Sequence, residues 1–494
     1  ANPIVKLGVV GVRGEGPTWF DLTESYGQDF YLPRVKWLPD NSLVIQIQNR
    51  PQTEVKLVRL FPQDGTSKSI LVEKSSPHAW VNLHNMFTPL KKAECFIWAS
   101  ERTGYQHLFL YSYDGALVRQ LTEGEWMVED IKSVDEAAGV VYFVGTKDSW
   151  LERHLYAVPL AGGEARRVTR EPGMHNVLID HKRRNFVDQY SSASLPFRVN
   201  VCSLADGSTL RPLFANDDAR LQRLQFSPPE FFTTRSTDDT VVLQGSVMRP
   251  DPRTFGEGPY PTLVSVYGGP DVQTVSNSWT FTSDLRAQFL RSQGYLVLKL
   301  DNRGSSRRGL AFETCIKGNM GDLEVQDQVA GVQWAVQNGL CDPTRVGIYG
   351  WSYGGYMSAM ALARAPEVFC IGISGAPVTS WDGYDTHYTE RYMGTPAGNP
   401  EGYARSSVMT HVDKIEGSLL LVHGLIDENV HFRHTARLIN AIISNQKHYE
   451  LLLFPDERHS PRSLKDRVFM EQRIFSFIQR TLGKVTALGD DMEA

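Results

Sequence analysis

The carboxyl-terminal half of the chain alternates short apolar runs with helical patterns, and this alternation constrains the fold most. A run that is apolar at every position is typical of a strand buried on both faces. Between such runs, apolar residues recur at helical spacing, as between Asp322 and Gly339. The pattern predicts a doubly wound, mostly parallel sheet, built on the runs TLVSVY, YLVLKL, RVGIY, CIGIS, SLLLVH and YELLLF.

Residues 1 to about 225 instead contain short alternating or apolar runs that each end at a tight turn. The turn glycines Gly65, Gly115, Gly163 and Gly207 recur at intervals of roughly 44 to 50 residues, a period typical of four-stranded β-propeller blades. We expect about four blades. A β-sandwich with evenly spaced hairpins would give a similar pattern.

The change of pattern divides the chain into two domains and a tail. The proline-rich stretches FSPPEFF and MRPDPRTFGEGP lie near the change and are typical of a connection between domains. We predict a partial β-propeller over residues 1–225, an α/β domain over residues 226–485 and a tail over residues 486–494.

Composition excludes several classes of protein. A net charge of -5 argues against a nucleic-acid-binding protein, which needs a clustered basic face. No apolar run reaches the roughly 18 residues that span a bilayer. The cysteines are odd in number and form no C-x-x-C pair, which predicts a reducing, cytoplasmic compartment without a disulfide framework or zinc site. They are Cys95, Cys202, Cys315, Cys341 and Cys370.

A glycine-rich turn, GWSYGG, joins the run RVGIY to a helical pattern. Strand, G-x-S-x-G and helix in this order form the nucleophile elbow of α/β-hydrolases. A serine in such a strained turn needs neighbours without side chains, which Gly350 and Gly354 supply. Because G-x-S-x-G also occurs by chance, the motif alone does not decide whether Ser352 is a nucleophile or an ordinary turn residue.

Two further polar residues follow apolar runs, Asp427 after SLLLVHG and His459 after YELLLF. The carboxyl ends of parallel strands meet at one edge of a sheet, and the order Ser, acid, His is that of this hydrolase class. We predict that His459 takes the proton of Ser352 and that Asp427 orients the imidazole. The Tyr353 N–H and the Tyr267 hydroxyl are candidate oxyanion donors, although Tyr267 could equally be a strand-end aromatic.

Other polar residues near this triad have alternative interpretations. We expect three further acids to be solvated loop charges, namely Glu428, Asp456 and Glu457. The histidines His423, His431 and His434 could suggest a metal, but HFRH lacks a third placed ligand. We therefore predict no metal site, and structural hydrogen bonds for His431 and His434.

Longer motifs surround these residues, namely GWSYGGYMS, YGGPDVQ, GAPVTSWDGYDTHYTERYMG, HGLIDENVHF and FPDERHS. Together they resemble the dipeptidyl peptidase IV family of the prolyl oligopeptidase superfamily. PDERHS and YGGPDVQ are most similar to the cytosolic branch containing dipeptidyl peptidases eight and nine, and to its plant-type relatives. The resemblance implies an α/β-hydrolase domain and catalysis by Ser352, Asp427 and His459. It also implies an oxyanion role for Tyr267, and it requires no metal or organic cofactor.

The resemblance further implies a hydrophobic pocket for proline or alanine at the penultimate position of a peptide. A rigid pyrrolidine ring packs well on aromatic faces and needs no hydrogen-bond partner. Asn429 matches the position that holds a substrate carbonyl. The implied pocket residues are Val378, Trp381, Tyr384, Tyr388, Asn429 and Val430. Without the family, three aromatics in eight residues would more often fill a core.

One departure from the family bears on peptide length. Family exopeptidases hold the free amino terminus of the substrate with two adjacent glutamates, and no Glu-Glu pair occurs in the 494 residues. The opening ANPIVKLGVV resembles the sequence just after that pair, and family propellers have eight blades. We therefore expect about half of the propeller to lie upstream of this sequence. Asp385, next to Tyr384, is the nearest acid that could bind the substrate's amino terminus in place of the glutamate pair.

The expected function is a serine peptidase of dipeptidyl-peptidase type, which hydrolyses the bond after Pro or Ala near the amino terminus of peptides. One alternative is an acylaminoacyl peptidase or oligopeptidase, which lacks the amine clamp. Another is a non-catalytic propeller interaction module. The expected partners are peptide substrates, with neither nucleic acid nor membrane, and the strand edges of a half propeller would favour association, a homodimer included.

Overall fold

The computed structural model describes residues 2–14, 16–92 and 94–488. Its amino-terminal half consists almost entirely of strands. The elements are β1 Leu7–Val9, β2 Thr18–Phe20, α1 Thr23–Tyr26, β3 Phe30–Trp37, β4 Leu43–Asn49, β5 Glu54–Phe61, β6 Thr66–Lys74, β7 Thr88–Pro89, β8 Cys95–Ser100, β9 His107–Ser112, β10 Leu117–Gln120, β11 Val128–Asp135, β12 Val140–Gly145, β13 His154–Pro159, β14 Arg166–Arg167, β15 Met174–Ile179, β16 Asn185–Ser192, β17 Leu195–Ser203, β18 Thr209–Ala215 and α2 Ala219–Leu224.

These strands form four sheets of four, each built from consecutive strands: β3 to β6, β7 to β10, β11 to β14 and β15 to β18. A separate pair, β1 with β2, precedes them. The predicted turn glycines Gly65, Gly115, Gly163 and Gly207 each lie between the third and fourth strand of a sheet, and all have positive φ. Their spacing therefore marks one hairpin repeated in every blade, and the predicted partial propeller is confirmed.

The carboxyl-terminal half contains strands and helices in alternation, with two short 3-10 helices over Trp381–Gly383 and Val408–Lys414. The other elements are β19 Glu230–Arg235, β20 Val242–Met248, α3 Pro252–Phe255, β21 Tyr260–Val266, α4 Trp279–Thr282, α5 Leu285–Ser292, β22 Leu296–Asp301, α6 Leu310–Thr314, α7 Leu323–Gln337, β23 Cys341–Trp351, α8 Tyr353–Arg364, β24 Ile371–Gly375, α9 Thr386–Met393, α10 Pro400–Arg405, β25 Ser418–Gly424, α11 Arg433–Ser444, β26 Glu450–Phe454 and α12 Leu464–Thr481.

One eight-stranded sheet organises this half, in the order β19-β20-β22-β21-β23-β24-β25-β26. Strands β19, β20 and β22 pair antiparallel, and β22 with the strands beyond it pairs parallel. Buried residues of α7, α8 and α11 form one core on the sheet, and those of α5 and α12 form another. The predicted α/β-hydrolase fold is confirmed. All six predicted apolar runs are strands.

The predicted domain limits remain interpretations. The last blade ends at Ala215, and the first strand of the eight-stranded sheet begins at Glu230. In the predicted tail, the N–H of Leu488 donates a 2.8 Å hydrogen bond to the carbonyl of Thr254. Residues 489–494 lie outside the described residues. Within the described ranges, no helix is long and apolar enough to cross a membrane.

Candidate active site

Ser352 lies at the sharp turn between β23 and α8. Its backbone has a φ of 60° and a ψ of -114°, a conformation that a residue with a side chain rarely adopts. Its N–H donates a 2.8 Å hydrogen bond to the carbonyl of Gly375 on β24. A Cβ on Gly350 would lie 2.3 Å from the backbone of Gly354. The turn therefore requires glycine at this position, as the sequence indicates.

Asp427 lies in the loop after β25, and its side chain is fully buried. One carboxylate oxygen accepts 2.9 Å hydrogen bonds from the N–H groups of Asn429 and Val430. The other oxygen lies 2.7 Å from Nδ1 of His459 and 3.2 Å from Nε2 of His423. Burial alone would raise the pKa of Asp427, but these hydrogen bonds outweigh it and hold the pKa well below its usual range. The carboxylate is therefore ionised at neutral pH.

His459 lies in the loop after β26 and contacts both of the other loops. Its Nδ1 pairs with Asp427, which leaves Nε2 as the nitrogen available for a proton from a nucleophile. Its carbonyl accepts a 2.6 Å hydrogen bond from the indole N–H of Trp351, the residue before Ser352. Among the described residues, no hydrogen bond joins the Ser352 hydroxyl to the His459 ring, so the serine–histidine step stays a prediction.

Tyr267 and Tyr353, the two predicted oxyanion donors, lie side by side. Tyr267 follows β21, and its ring centroid is 6.0 Å from that of Tyr353. Burial, followed by the carboxylate of Asp271, raises the pKa of Tyr267, so its hydroxyl keeps its proton at neutral pH. Tyr353 is the first residue of α8, and an N–H at this position has no helical acceptor. Among the described residues, neither donor has a hydrogen-bond acceptor, so both are available for a substrate oxygen.

The predicted pocket residues form one cluster next to Tyr353. The rings of Tyr384 and Tyr388 meet edge to face at 5.3 Å, and Tyr388 stacks on Trp381 at 6.1 Å. Val378, Trp381 and Val430 are buried in the same cluster. Because Trp381 is only 1% exposed, its ring supports the pocket from behind, while the half-buried tyrosines can contact a ligand.

Asn429 connects this aromatic cluster to Asp427, the predicted acid of the triad. Its side-chain oxygen accepts a 2.7 Å hydrogen bond from the Tyr384 hydroxyl, and its N–H donates to Asp427. The loop that carries Asp427 thereby also fixes one wall of the pocket. The structure thus brings together all eleven residues that the sequence and the resemblance indicate.

Two family sequence models match the chain. The model described as "Prolyl oligopeptidase family" matches residues 279–485, and the model described as "Dipeptidyl peptidase IV (DPP IV) N-terminal region" matches residues 1–197. The chain belongs to the dipeptidyl peptidase IV family of the prolyl oligopeptidase superfamily. The family expected from the motifs is therefore confirmed.

Individual members of the dipeptidyl peptidase IV family match over nearly the whole chain. Human dipeptidyl peptidase 8 is 35% identical, over 99% of the chain and 62% of the human protein. The mouse protein of the same name is 35% identical, over 93% of the chain and 58% of its own length. A crystal structure of Porphyromonas gingivalis dipeptidyl peptidase 4 superimposes with a TM-score of 0.89 at 29% identity, covering 96% of this chain and 67% of that one. The chain spans less than two thirds of the length of the human and mouse relatives.

One of the three acids set aside in the sequence is not a solvated charge. Glu428 pairs with Arg458 at the surface, at 3.0 Å, and Asp456 is exposed. Glu457 is only 7% exposed and accepts hydrogen bonds from the Arg462 N–H and guanidinium at 3.1 and 3.0 Å. It therefore stabilises the loop that carries the family histidine.

The other histidines near the triad make structural contacts. His423 is fully buried, and its Nδ1 lies 2.7 Å from the Thr435 hydroxyl. Nε2 of His434 lies 3.2 Å from the carbonyl of Gly383 in the pocket loop, and burial lowers the pKa of His434 to about 4. His431 is exposed and its side chain makes no hydrogen bond among the described residues, so the structural hydrogen bond predicted for it is wrong. Within the described ranges, no group of three His, Cys, Asp or Glu side chains is placed to hold a metal ion.

Contacts from the propeller hold the helix that carries Tyr388, and the sequence does not reveal them. Arg50 donates two 2.7 Å hydrogen bonds to the carboxylate of Glu390 on α9. Gln52 donates to the carbonyl of His387 at 2.6 Å and accepts from Arg391 at 2.7 Å. These partners are more than 330 positions apart in the sequence, so no local pattern could pair them.

The propeller also holds the segment that follows Tyr267. Arg153, directly before β13, donates to the side-chain oxygen of Gln273 at 2.5 Å. The N–H of Asn277 donates to the carbonyl of Leu151 at 2.8 Å. Contacts from the propeller therefore hold both the segment that follows Tyr267 and helix α9 of the hydrolase half.

Proposed function

We propose that the protein is a serine peptidase of dipeptidyl-peptidase type, which cleaves the peptide bond after Pro or Ala near the amino terminus. The observation that carries the proposal is the pair of contacts made by His459. Its ring pairs with the buried Asp427, and its carbonyl is held by Trp351, next to the strained Ser352. One residue thereby connects the nucleophile loop with the acid loop.

In the first half of the reaction, the Ser352 hydroxyl oxygen attacks the substrate carbonyl carbon and passes its proton to Nε2 of His459. The ionised Asp427 stabilises the resulting imidazolium through Nδ1. Nε2 then gives the proton to the departing amine as the C–N bond breaks, which leaves an ester on Ser352. In the second half, His459 takes a proton from water, the hydroxide attacks the ester, and the serine oxygen recovers that proton as it leaves.

The negative charge that forms on the substrate oxygen needs donors already in place. The N–H of Tyr353 and the hydroxyl of Tyr267 lie on neighbouring segments, and neither has an acceptor within the part of the chain that the structure describes. Because the surroundings are largely buried, each hydrogen bond to a developing oxyanion is stronger than it would be in water.

The aromatic pocket supports the choice of Pro or Ala. Tyr384 and Tyr388 meet at right angles, with Trp381 behind them, and offer apolar faces to a compact ring. Beside this pocket, Oδ1 of Asn429 already accepts a hydrogen bond from the Tyr384 hydroxyl. The names of the matched relatives, dipeptidyl peptidases 8 and 4, support cleavage after the second residue.

Selection of peptide length needs a group that binds the substrate's free amino terminus. Asp385 remains our candidate from the sequence, and it lies exposed at the start of α9, next to Tyr384. The second candidate function is an acylaminoacyl peptidase or oligopeptidase, which needs no amine clamp.

Chromogenic Ala-Pro amides with free and with N-acetylated amino termini separate the two candidates. We expect turnover of the free form and at least a tenfold lower kcat/KM for the acetylated form, because only an amine clamp requires the charge. Equal turnover of both forms would favour the second candidate. No turnover of either form, together with no covalent labelling of Ser352, would favour the non-catalytic interaction module.

Cellular location and assembly stay predictions. All five cysteines are free, which agrees with a reducing compartment such as the cytoplasm. We propose peptides as the only ligands, with no cofactor, and a homodimer as the assembly to look for. Gel filtration with light scattering tests the assembly, since a monomer mass at micromolar concentration would exclude a stable homodimer.

A further inference from the structure

We propose that Glu324, on α7, is a positioning residue for the oxyanion hole and acts through the hydroxyl of Tyr353. This inference rests on the proposed function, because it concerns the same nucleophile and oxyanion donors. Nothing in the sequence motif GWSYGG points to Glu324, which lies 29 residues before Tyr353 and on a different helix.

The contact itself is short and fully buried. The Tyr353 hydroxyl donates a 2.8 Å hydrogen bond to Oε1 of Glu324, whose exposure is 0%. The same carboxylate accepts from the N–H groups of Gly321 at 2.9 Å and Asp322 at 3.1 Å. Its oxygens are therefore satisfied, and its position is fixed by the start of α7. A side chain anchored in this way can set the position of a neighbouring helix.

The ring of Tyr353 connects Glu324 with the pocket and with Tyr267. It is 5.4 Å from the ring of Trp381 and 6.0 Å from that of Tyr267, so it separates the pocket from the oxyanion tyrosine. A Cβ on Gly269 would lie 2.7 Å from Tyr353 and 2.9 Å from Tyr267. The loop after Tyr267 is thus packed directly on the ring of Tyr353. Displacing that ring would move both oxyanion donors at once.

A purely structural interpretation is that Glu324 only caps the start of α7. That role uses the bonds to Gly321 and Asp322 and does not need Tyr353. The replacement Tyr353→Phe therefore separates the two roles, because it keeps the ring and the cap but removes the connecting hydroxyl. Tyr356→Phe is the matched control: Tyr356 lies one turn further on α8, is equally buried, and its hydroxyl bonds the carbonyls of Met320 and Ser406 instead of Glu324.

The experiment measures kcat and KM on an Ala-Pro amide and the rate of Ser352 labelling by a fluorophosphonate. We expect Tyr353→Phe and Glu324→Gln each to lower kcat and the labelling rate about 10-fold with KM changed less than 2-fold, because small displacements of reacting groups cost rate rather than binding. Combining them should cost little more than either alone. Tyr356→Phe should keep wild-type kcat, with a comparable loss of Tm.

The outcomes separate this inference from the proposed function. A wild-type chain that neither labels nor turns over peptide overturns the proposed function. A wild-type chain that labels while Tyr353→Phe keeps its labelling rate and kcat overturns the positioning role alone. Equal losses of kcat in Tyr353→Phe and Tyr356→Phe overturn it as well, because they would reflect general damage to α8. If Glu324→Gln fails to fold, Tyr353→Phe still decides.

Discussion

The indole N–H of Trp351 donates a 2.6 Å hydrogen bond to the backbone carbonyl of His459. The residue before Ser352 therefore fixes the loop that carries His459, the proposed base. The Trp351 ring also occupies the space beside Gly375, where a Cβ would lie 2.0 Å from the ring. The carbonyl of Gly375 accepts a hydrogen bond from the N–H of Ser352. The indole thus connects the elbow, the adjacent strand and the histidine loop.

Replacing Trp351 by Phe removes this hydrogen bond and keeps most of the packing. A neutral hydrogen bond contributes about 1 kcal/mol, which corresponds to roughly a fivefold effect. We therefore expect kcat on an Ala-Pro amide to fall about 2- to 10-fold with little change in KM. Wild-type kcat in Trp351→Phe would show that the His459 loop keeps its position without the indole.

Replacing Asp427 by Asn should abolish most of the activity. The amide would give His459 the wrong tautomer or lose the charge that stabilises the imidazolium, an effect of about 10⁴-fold in kcat for such triads. Asp456→Asn is the control, because Asp456 lies in the histidine loop but is exposed. Similar kcat values for the two variants would contradict the assignment of Asp427.

Two carboxyl groups meet where the propeller contacts the hydrolase half. The Asn82 amide nitrogen donates at 3.0 Å to both Glu101 and Glu313. Burial, with the negative charge of Glu313, raises the pKa of Glu101, and burial, with the carboxylate of Asp271, raises the pKa of Glu313. The pKa of each group is higher in the folded state than in the unfolded chain. The stability that the two protonated groups contribute is therefore fully present at pH below their pKa in the unfolded chain, and it is lost as the pH rises through their pKa in the folded state.

Glu313→Gln should therefore flatten the decrease of Tm between pH 6 and pH 8.5. We expect the free energy of unfolding of the variant, relative to wild type, to be about 1 kcal/mol higher at pH 8.5 than at pH 6, which corresponds to roughly 2 to 4 °C in Tm. Glu401→Gln, whose side chain is 87% exposed, is the control and should show no such change. Parallel Tm curves for wild type and Glu313→Gln would refute the prediction.

The repeated hairpin glycines and the polar residues that follow apolar runs made much of the fold predictable. The glycine of the same hairpin recurs in every blade, so its spacing revealed the propeller before any strand was assigned. The contact between Asp427 and His459 was predictable because their loops follow apolar runs whose ends must meet at one sheet edge. The pocket residues became recognisable only through the family motif, since clustered aromatics also fill cores.

Contacts between distant segments could not be predicted. Glu457 lies in a segment with the composition of a surface loop. Only the fold places Arg462 against Glu457 and buries the Glu457 side chain. Glu324 sits within a helical pattern, and its partner lies on another helix. The pairing of Arg50 with Glu390 joins the two halves of the chain. Each depends on three-dimensional packing that no local pattern encodes.

The most direct test of the central claim is turnover of an Ala-Pro chromogenic amide by wild type and by Ser352→Ala, with matched Tm values. The variant lacks the oxygen that forms the ester, so we predict a loss of kcat of at least about 10⁴-fold, as for other serine peptidases. Fluorophosphonate labelling should likewise disappear. Turnover by Ser352→Ala within tenfold of wild type would contradict the account, because it would show that Ser352 is not the nucleophile.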